Sequence, residues 1–166
     1  MFFQSTGVIL IDEMKLTKAI TFNKQTMKFQ GFIDLGHFTP AEQKNELGDH
    51  ALVFMYQPFR GKWVQTLACF LSRGAAPGKI LHHLVMETII LIERSGFFVD
   101  AVLSDGASWN RSMWTHFGIT EQNVNCPHIF DINRRLWFIS DFPHLIKNLR
   151  NAISTNKELM VIFFHW

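Results

Sequence analysis

The chain has 166 residues, 48% of them hydrophobic and 14% aromatic, with 17 Phe and 5 Trp against a single Tyr, which suits one domain with a well-filled core and excludes disorder. A formal net charge of +2 is too slight to demonstrate nucleic-acid binding, though compatible with it. Met1-Phe2-Phe3-Gln4 lacks the charged start of a signal peptide, and no uninterrupted apolar run reaches the ~18 residues a membrane span needs, so no membrane association is expected.

In chain order, the first element is an apolar run from Gly7 to Met14 (GVILIDEM), read as a strand of a sheet covered on both sides. Ala19 to Leu35 follows as two strand-like arms around the polar centre Asn23-Lys24-Gln25-Thr26, the pattern of a hairpin. Thr39 to Asp49 is polar and reads as a loop or short helix. Ala51 to Tyr56 and Lys62 to Leu71 are further strands around a turn at Pro58, Arg60 and Gly61. From Pro77 to Ser95 the apolar spacing becomes helical, with Leu81, Leu84, Val85, Thr88, Ile89 and Ile92 on one face and Gly96 as the stop. A second apolar strand, Phe98 to Leu103, ends at Ser104-Asp105-Gly106. Ser108 is placed to cap a short helix from Trp109 to Phe117, closed by Gly118. The strand Leu136 to Ile139 ends at Ser140-Asp141, and Pro143 introduces a basic helix to about Ile153. This order predicts a mixed α/β sheet with flanking helices.

Carboxylates at the ends of buried strands are the chemistry-bearing feature. Asp12 ends the first strand and Asp105 the second apolar one. A two-metal site needs hard oxygen ligands around ions about 4 Å apart, and Asp supplies them on a short stem. The alternative for each is a turn or capping residue. Glu13 competes with Asp12, because neighbouring strand residues point to opposite faces and the all-apolar run has no alternation to tell the faces apart. Asp141 is a third strand-end carboxylate with a helix N-cap as its other reading, and Asp100 reads as a surface or strand-start residue.

Other polar residues suggest less. His82 and His83 adjoin on a helix and diverge rather than chelate, so a solvated surface is expected for them. Lys147 and Arg150, three apart on the last helix, either face phosphates together or form a solvated face. Cys69 and Cys126 are far apart, with no CxxC pair; a reduced intracellular chain with buried, inert thiols is expected. The Asn110-Arg111-Ser112 sequon has meaning only in a secreted protein.

Three segments in order, Ile9-Leu10-Ile11-Asp12-Glu13-Met14-Lys15, Ser104-Asp105-Gly106-Ala107-Ser108-Trp109-Asn110-Arg111-Ser112-Met113-Trp114 and Asp141-Phe142-Pro143-His144-Leu145-Ile146-Lys147-Asn148-Leu149-Arg150-Asn151, resemble the catalytic domain of P-element-type DNA transposases, the group that includes the THAP-domain transposases. The resemblance runs from about Gly7 to Ser154. It implies a ribonuclease H-like mixed sheet, an antiparallel three-strand meander plus parallel strands, over residues 1–155 and incomplete at the C-terminus, with 156–166 a truncated tail or the start of an insertion domain. It also implies a DDE-type enzyme that uses Mg²⁺ to cut DNA at transposon ends and join it to a target. Asp12 and Asp105 match the first two of its three carboxylates, both catalytic and metal-binding.

The family's third carboxylate, a Glu, lies beyond a GTP-binding insertion, whereas Glu158 is the only Glu after Asp141 and follows the basic helix too closely to replace it. The resemblance therefore implies a transposase fragment inactive alone, without the GTP-binding domain, the zinc-dependent THAP domain or the oligomerising helices of full-length relatives. DNA is the implied partner and the nucleus the implied location. The alternative is a domesticated, non-catalytic module that binds DNA or protein.

Overall fold

The computed structural model describes residues 5–155; the expectation for 156–166 lies outside the described residues. Eight strands and three helices follow in chain order: β1 (Ser5–Lys15), β2 (Thr21–Asn23), β3 (Lys28–Gln30), β4 (His50–Pro58), β5 (Gln65–Ser72), α1 (Gly78–Arg94), β6 (Phe97–Ser104), α2 (Ser108–His116), β7 (Asn125–Pro127), β8 (Arg135–Ser140) and α3 (Phe142–Thr155). Six strands form one sheet in the order β5-β4-β1-β6-β8-β7. The first strand is central: β1 pairs antiparallel with β4 and parallel with β6, and β6 pairs parallel with β8. Strands β1, β4 and β5 are the antiparallel meander. The hairpin anticipated at Ala19 to Leu35 exists, but β2 and β3 pair only with each other as a separate two-stranded sheet. Among the described residues no helix is long and apolar enough to cross a membrane.

The cross-strand register sorts the side chains into two faces, because directly opposed residues project to the same side. Ile9 lies opposite Tyr56 and Val102, and Ile11 opposite Phe54 and Ser104. All six are almost fully buried, and the apolar ones form the core with Leu81, Leu84, Val85 and Ile89 of α1 and Met113 of α2. Burying side chains of this size contributes about 1.5–3 kcal/mol each. Gly78 lets the two helices approach: a Cβ there would stand 2.4 Å from Ser112 Oγ and 2.8 Å from the Met113 backbone nitrogen.

The opposite face is barer. Leu10 lies opposite Met55 and Leu103, Leu103 opposite Ile139, and Ala101 opposite Trp137. Trp137 and Ile139 are each 45% exposed. A parallel sheet is ordinarily covered on both faces, yet among the described residues α1 and α2 cover one. Helix α3 has no buried residue, although Phe142, Leu145, Ile146, Leu149 and Ile153 form an apolar side along it.

Several local readings are corrected. Helix α2 starts at Ser108, with Ala107 in the cap position and no side-chain cap bond; Asp105, further back, instead accepts the Ala107 N–H at 3.1 Å. Strand β7, which pairs with β8, has no counterpart in the sequence reading; at three residues it is too short for a period-two pattern. His82 and His83 are only partly exposed and make ring contacts. They diverge as expected, but His82 packs on Phe117 with ring centroids 4.3 Å apart and His83 stacks on Phe38 at 5.3 Å. Cys69 is exposed on β5 and Cys126 partly buried, both free thiols.

Candidate acidic site at the strand ends

The parallel strands β1, β6 and β8 all run toward one edge of the sheet, so their C-terminal residues meet there. Ile11, Ser104 and Ser140 are the last residues held in register. The next positions are Asp12, Asp105 and Asp141. The Asp141 N–H donates to the Ser104 carbonyl at 2.9 Å, keeping the ends of β6 and β8 together.

Alternation from the register decides between Asp12 and Glu13. Asp12 lies opposite Val53 and shares the parity of Val8 and Leu10, hence the open face. Glu13 lies opposite Leu52 and shares the parity of Ile9 and Ile11, hence the covered face. Its carboxyl is pushed above the usual range, chiefly by burial and against the pull of the Ala76 backbone N–H and His50, with Asp105 and Asp12 adding to the rise. Its Oε1 is buried and without a hydrogen-bond partner. Asp12 is exposed and its Oδ1 accepts the Glu13 N–H at 2.9 Å. Asp105 directly follows Ser104, the last residue of β6 in register with β1, so it stands at the same edge of the sheet as Asp12.

Asp105 is held firmly. Its Oδ1 accepts from Ala107 N–H and, at 2.6 Å, from the Asn110 side-chain amide, which also reaches the Asp105 carbonyl at 3.2 Å. Asn110 is only 5% exposed. The Asp12 and Asp105 carboxylates are hard oxygen donors of the kind a divalent ion takes. They fit such an ion in type but not in number: among the described residues, no three His, Cys, Asp or Glu side chains are grouped closely enough to hold one.

Asp141 has a different partner. His144, on the first turn of α3, places Nδ1 2.5 Å from Asp141 Oδ2, while the Asp141 carbonyl accepts the Leu145 N–H as the helix begins. The Asp141 contact, with Asp105 and Asp12 in electrostatic range, holds the His144 pKa above its ordinary value. His144 and Asn110 had not been singled out from the sequence. The signal for His144 was the Asp-x-x-His spacing across a helix start, which sets the two side chains on one face. For Asn110 it was a polar residue five positions after a strand-end Asp, within the first turns of a helix.

Asp100 is not at the strand start, and its partly exposed side chain is paired rather than free. It sits inside β6 at a register shift, where Gly7 aligns with Val99 and Val8 with Ala101, so Asp100 is left out of the ladder. Its Oδ1 accepts from Arg134 at 2.6 Å, and Arg134 also binds Glu93 through both carboxylate oxygens. Lys147 and Arg150 are exposed on α3.

The family described as TNP-like, RNase H N-terminal domain matches residues 3–118. The transposable element P transposase of Drosophila melanogaster is 25% identical over 144 residues, covering 87% of this chain and 16% of that protein. Among solved structures, the Drosophila P element transposase strand transfer complex superposes with a TM-score of 0.68 at 23% identity, over 90% of this chain and 29% of that one. The chain thus spans less than a third of either relative, and the structural likeness speaks for the fold: a transposase ribonuclease H-like sheet. With β1 to β6, helices α1 and α2 and the Asp12 and Asp105 positions inside the matched segment, the chain belongs to the TNP-like, RNase H N-terminal domain family.

Proposed function

We propose that this chain is the front part of the catalytic core of a P-element-type DNA transposase, with Asp12 and Asp105 as two carboxylates of an incomplete site for Mg²⁺-dependent phosphoryl transfer. The observation that carries the reading is their convergence at the ends of neighbouring parallel strands, while Glu13 shares the parity of the covered face. A divalent ion bound there would stabilise negative charge building on a phosphate during displacement. The chain's own part is to present the two carboxylates: β1 and β6 fix their separation, and Asn110 with the Ala107 N–H fixes the orientation of Asp105.

The third carboxylate then comes from polypeptide outside this chain, in keeping with the small share of the relatives it spans. Alone, the chain is inactive in strand cleavage. Its partner is transposon-end DNA, which makes the nucleus its place of action, and any GTP requirement belongs to the rest of the full-length protein. A chimera tests this: residues 5–155 replace the matching part of the Drosophila P transposase, and cleavage of a labelled transposon-end duplex is followed with Mg²⁺. Cleavage is expected from the chimera and not from the chain alone, and Asp12→Asn or Asp105→Asn in the chimera lowers it at least a hundredfold. Cleavage that survives both substitutions contradicts the reading.

The non-catalytic binding module is favoured by one observation, the absence of a three-donor group among the described residues. It predicts DNA binding by the chain that is indifferent to Mg²⁺ and to both Asp→Asn substitutions.

A further inference from the structure

Helix α3 begins beside the acidic edge and carries two unlike sides. At 100° per residue, Leu145, Ile146, Leu149 and Ile153 fall on one side, and His144, Lys147, Asn148 and Asn151 on the other. All eight are at least partly exposed. The polar side starts at the site itself: the Asp141 N–H bond to Ser104 pins the start of the helix to the end of β6, one residue before Asp105.

His144 is oriented there by a side chain. Its Nδ1 is engaged by Asp141 Oδ2 at 2.5 Å, so Nε2 is the nitrogen left to meet a ligand. The imidazole is 43% exposed, against 27% for the Asp141 carboxylate behind it. The charged groups facing it are Asp141 from the strand end, Asp105 from β6 and Asp12 from β1, all acidic. An imidazolium at a helix N-terminus is opposed by the helix dipole; three carboxylates offset that opposition. One turn along, about 4.5 Å further by helical rise, Lys147 adds a second cation on the same side.

We infer that the polar side of α3 is a phosphate track, in which His144, oriented by Asp141, contacts the nucleic-acid phosphate next to the Asp12–Asp105 pair and Lys147 contacts a phosphate further along the same strand. The inference rests on the nucleic-acid reading of the acidic edge and deepens it. It assigns the Asp141 carboxylate to orienting a cation rather than to holding a metal, and it makes His144 a substrate-positioning residue. A strand laid along this side would enter the site past a positive pair, which lowers the repulsion between its phosphates and the two carboxylates.

Salt dependence separates this role from a structural one, because each cation that neutralises a phosphate of a duplex contributes about 0.9 to the slope of log K against log salt. The whole chain is titrated with a fluorescent duplex of 20 base pairs by anisotropy, at pH 6.0 and several salt concentrations. His144→Gln and Lys147→Gln are each expected to lower the slope by about 0.9, His144→Lys to restore it, and Lys24→Gln in the β2–β3 hairpin to leave it unchanged. Unfolding midpoints are measured alongside, and the exposed Lys147 variant carries the test if substitution at His144 disturbs folding. Wild-type slopes in both Gln variants overturn the phosphate track alone. No binding by the unaltered chain overturns the track together with the nucleic-acid reading of the site.

Discussion

Strand β6 has an acidic residue within it and another just past its end, and the two meet opposite surroundings. Asp100 is drawn into a closed cluster: Arg134 bonds to it and to both oxygens of Glu93, the Glu93 Oε1 also accepts the Val99 N–H at 2.8 Å, and the Arg134 guanidinium lies 5.0 Å over the Phe98 ring. Asp105, with Asp12 and Asp141, stands at an open edge whose cation is a half-exposed histidine. Charges paired with a counter-ion, as Glu93 and Asp100 are with Arg134, hold a fold together; carboxylates gathered at one edge cost stability through repulsion and are explained by a ligand.

The largest effect expected from this contrast is at the closed end. Arg134→Met leaves the Glu93 side chain, 7% exposed, without its counter-charge, and breaking such a pair costs about 3–5 kcal/mol. Urea unfolding should show that loss, and adding Glu93→Leu should recover part of it, since only the partly exposed Asp100 then lacks its counter-charge. A double variant no more stable than Arg134→Met would mean that the cluster acts through packing rather than charge.

The two ends should also respond to pH with opposite sign. His128 has a fully buried side chain at the closed end; its Nδ1 accepts the Phe130 N–H, so the proton sits on Nε2, 3.3 Å from Glu93 Oε1 but not aligned to bond with it. Burial, with the nearby Arg134, lowers its pKa below the usual 6.5. The unfolded chain therefore takes up a proton below about pH 6.5 that the folded chain resists, and stability falls as the pH drops through that window. His144 has a raised folded pKa: its contribution is fully present below 6.5 and is lost as the pH rises through the raised value. Unfolding midpoints between pH 5 and 8 should show the acid loss abolished by His128→Gln and the alkaline loss abolished by His144→Gln.

The smallest effects on folding are expected where the functional claim is strongest. Asp12→Asn and Asp105→Asn should each change stability by no more than about 0.5 kcal/mol, because Asp12 is exposed and an Asn oxygen at 105 can still accept from Ala107 and Asn110. A loss of several kcal/mol at Asp105 would make it a structural residue like Asp100.

Much of the fold was legible because the elements that build it are long and locally consistent. The Val8-Ile9-Leu10-Ile11 run, the helical spacing from Leu81 to Ile92 and the strand ending at Ser104 each fix one element and one orientation. Their ends are also where Asp12 and Asp105 stand, so that pair could be named without coordinates. Which of Asp12 and Glu13 faces the site could not, since an all-apolar strand does not distinguish its faces; the pairing of Glu13 with Leu52 does. Asp100 was misjudged because a bulge breaks the alternation that strand reading relies on. The His144 pairing and the ring contacts of His82 and His83 depend on neighbours brought in by the helices, which local pattern does not report.

The central claim is that Asp12 and Asp105 are two carboxylates of one incomplete divalent-ion site at the strand ends. It is tested most directly by adding Mn²⁺ to the ¹⁵N-labelled chain and mapping which backbone resonances broaden. The account predicts selective broadening at Asp12, Glu13, Asp105 and Gly106, lost in the Asp12→Asn, Asp105→Asn double variant while its spectrum stays folded. Broadening centred elsewhere, or unchanged in the double variant, would contradict it.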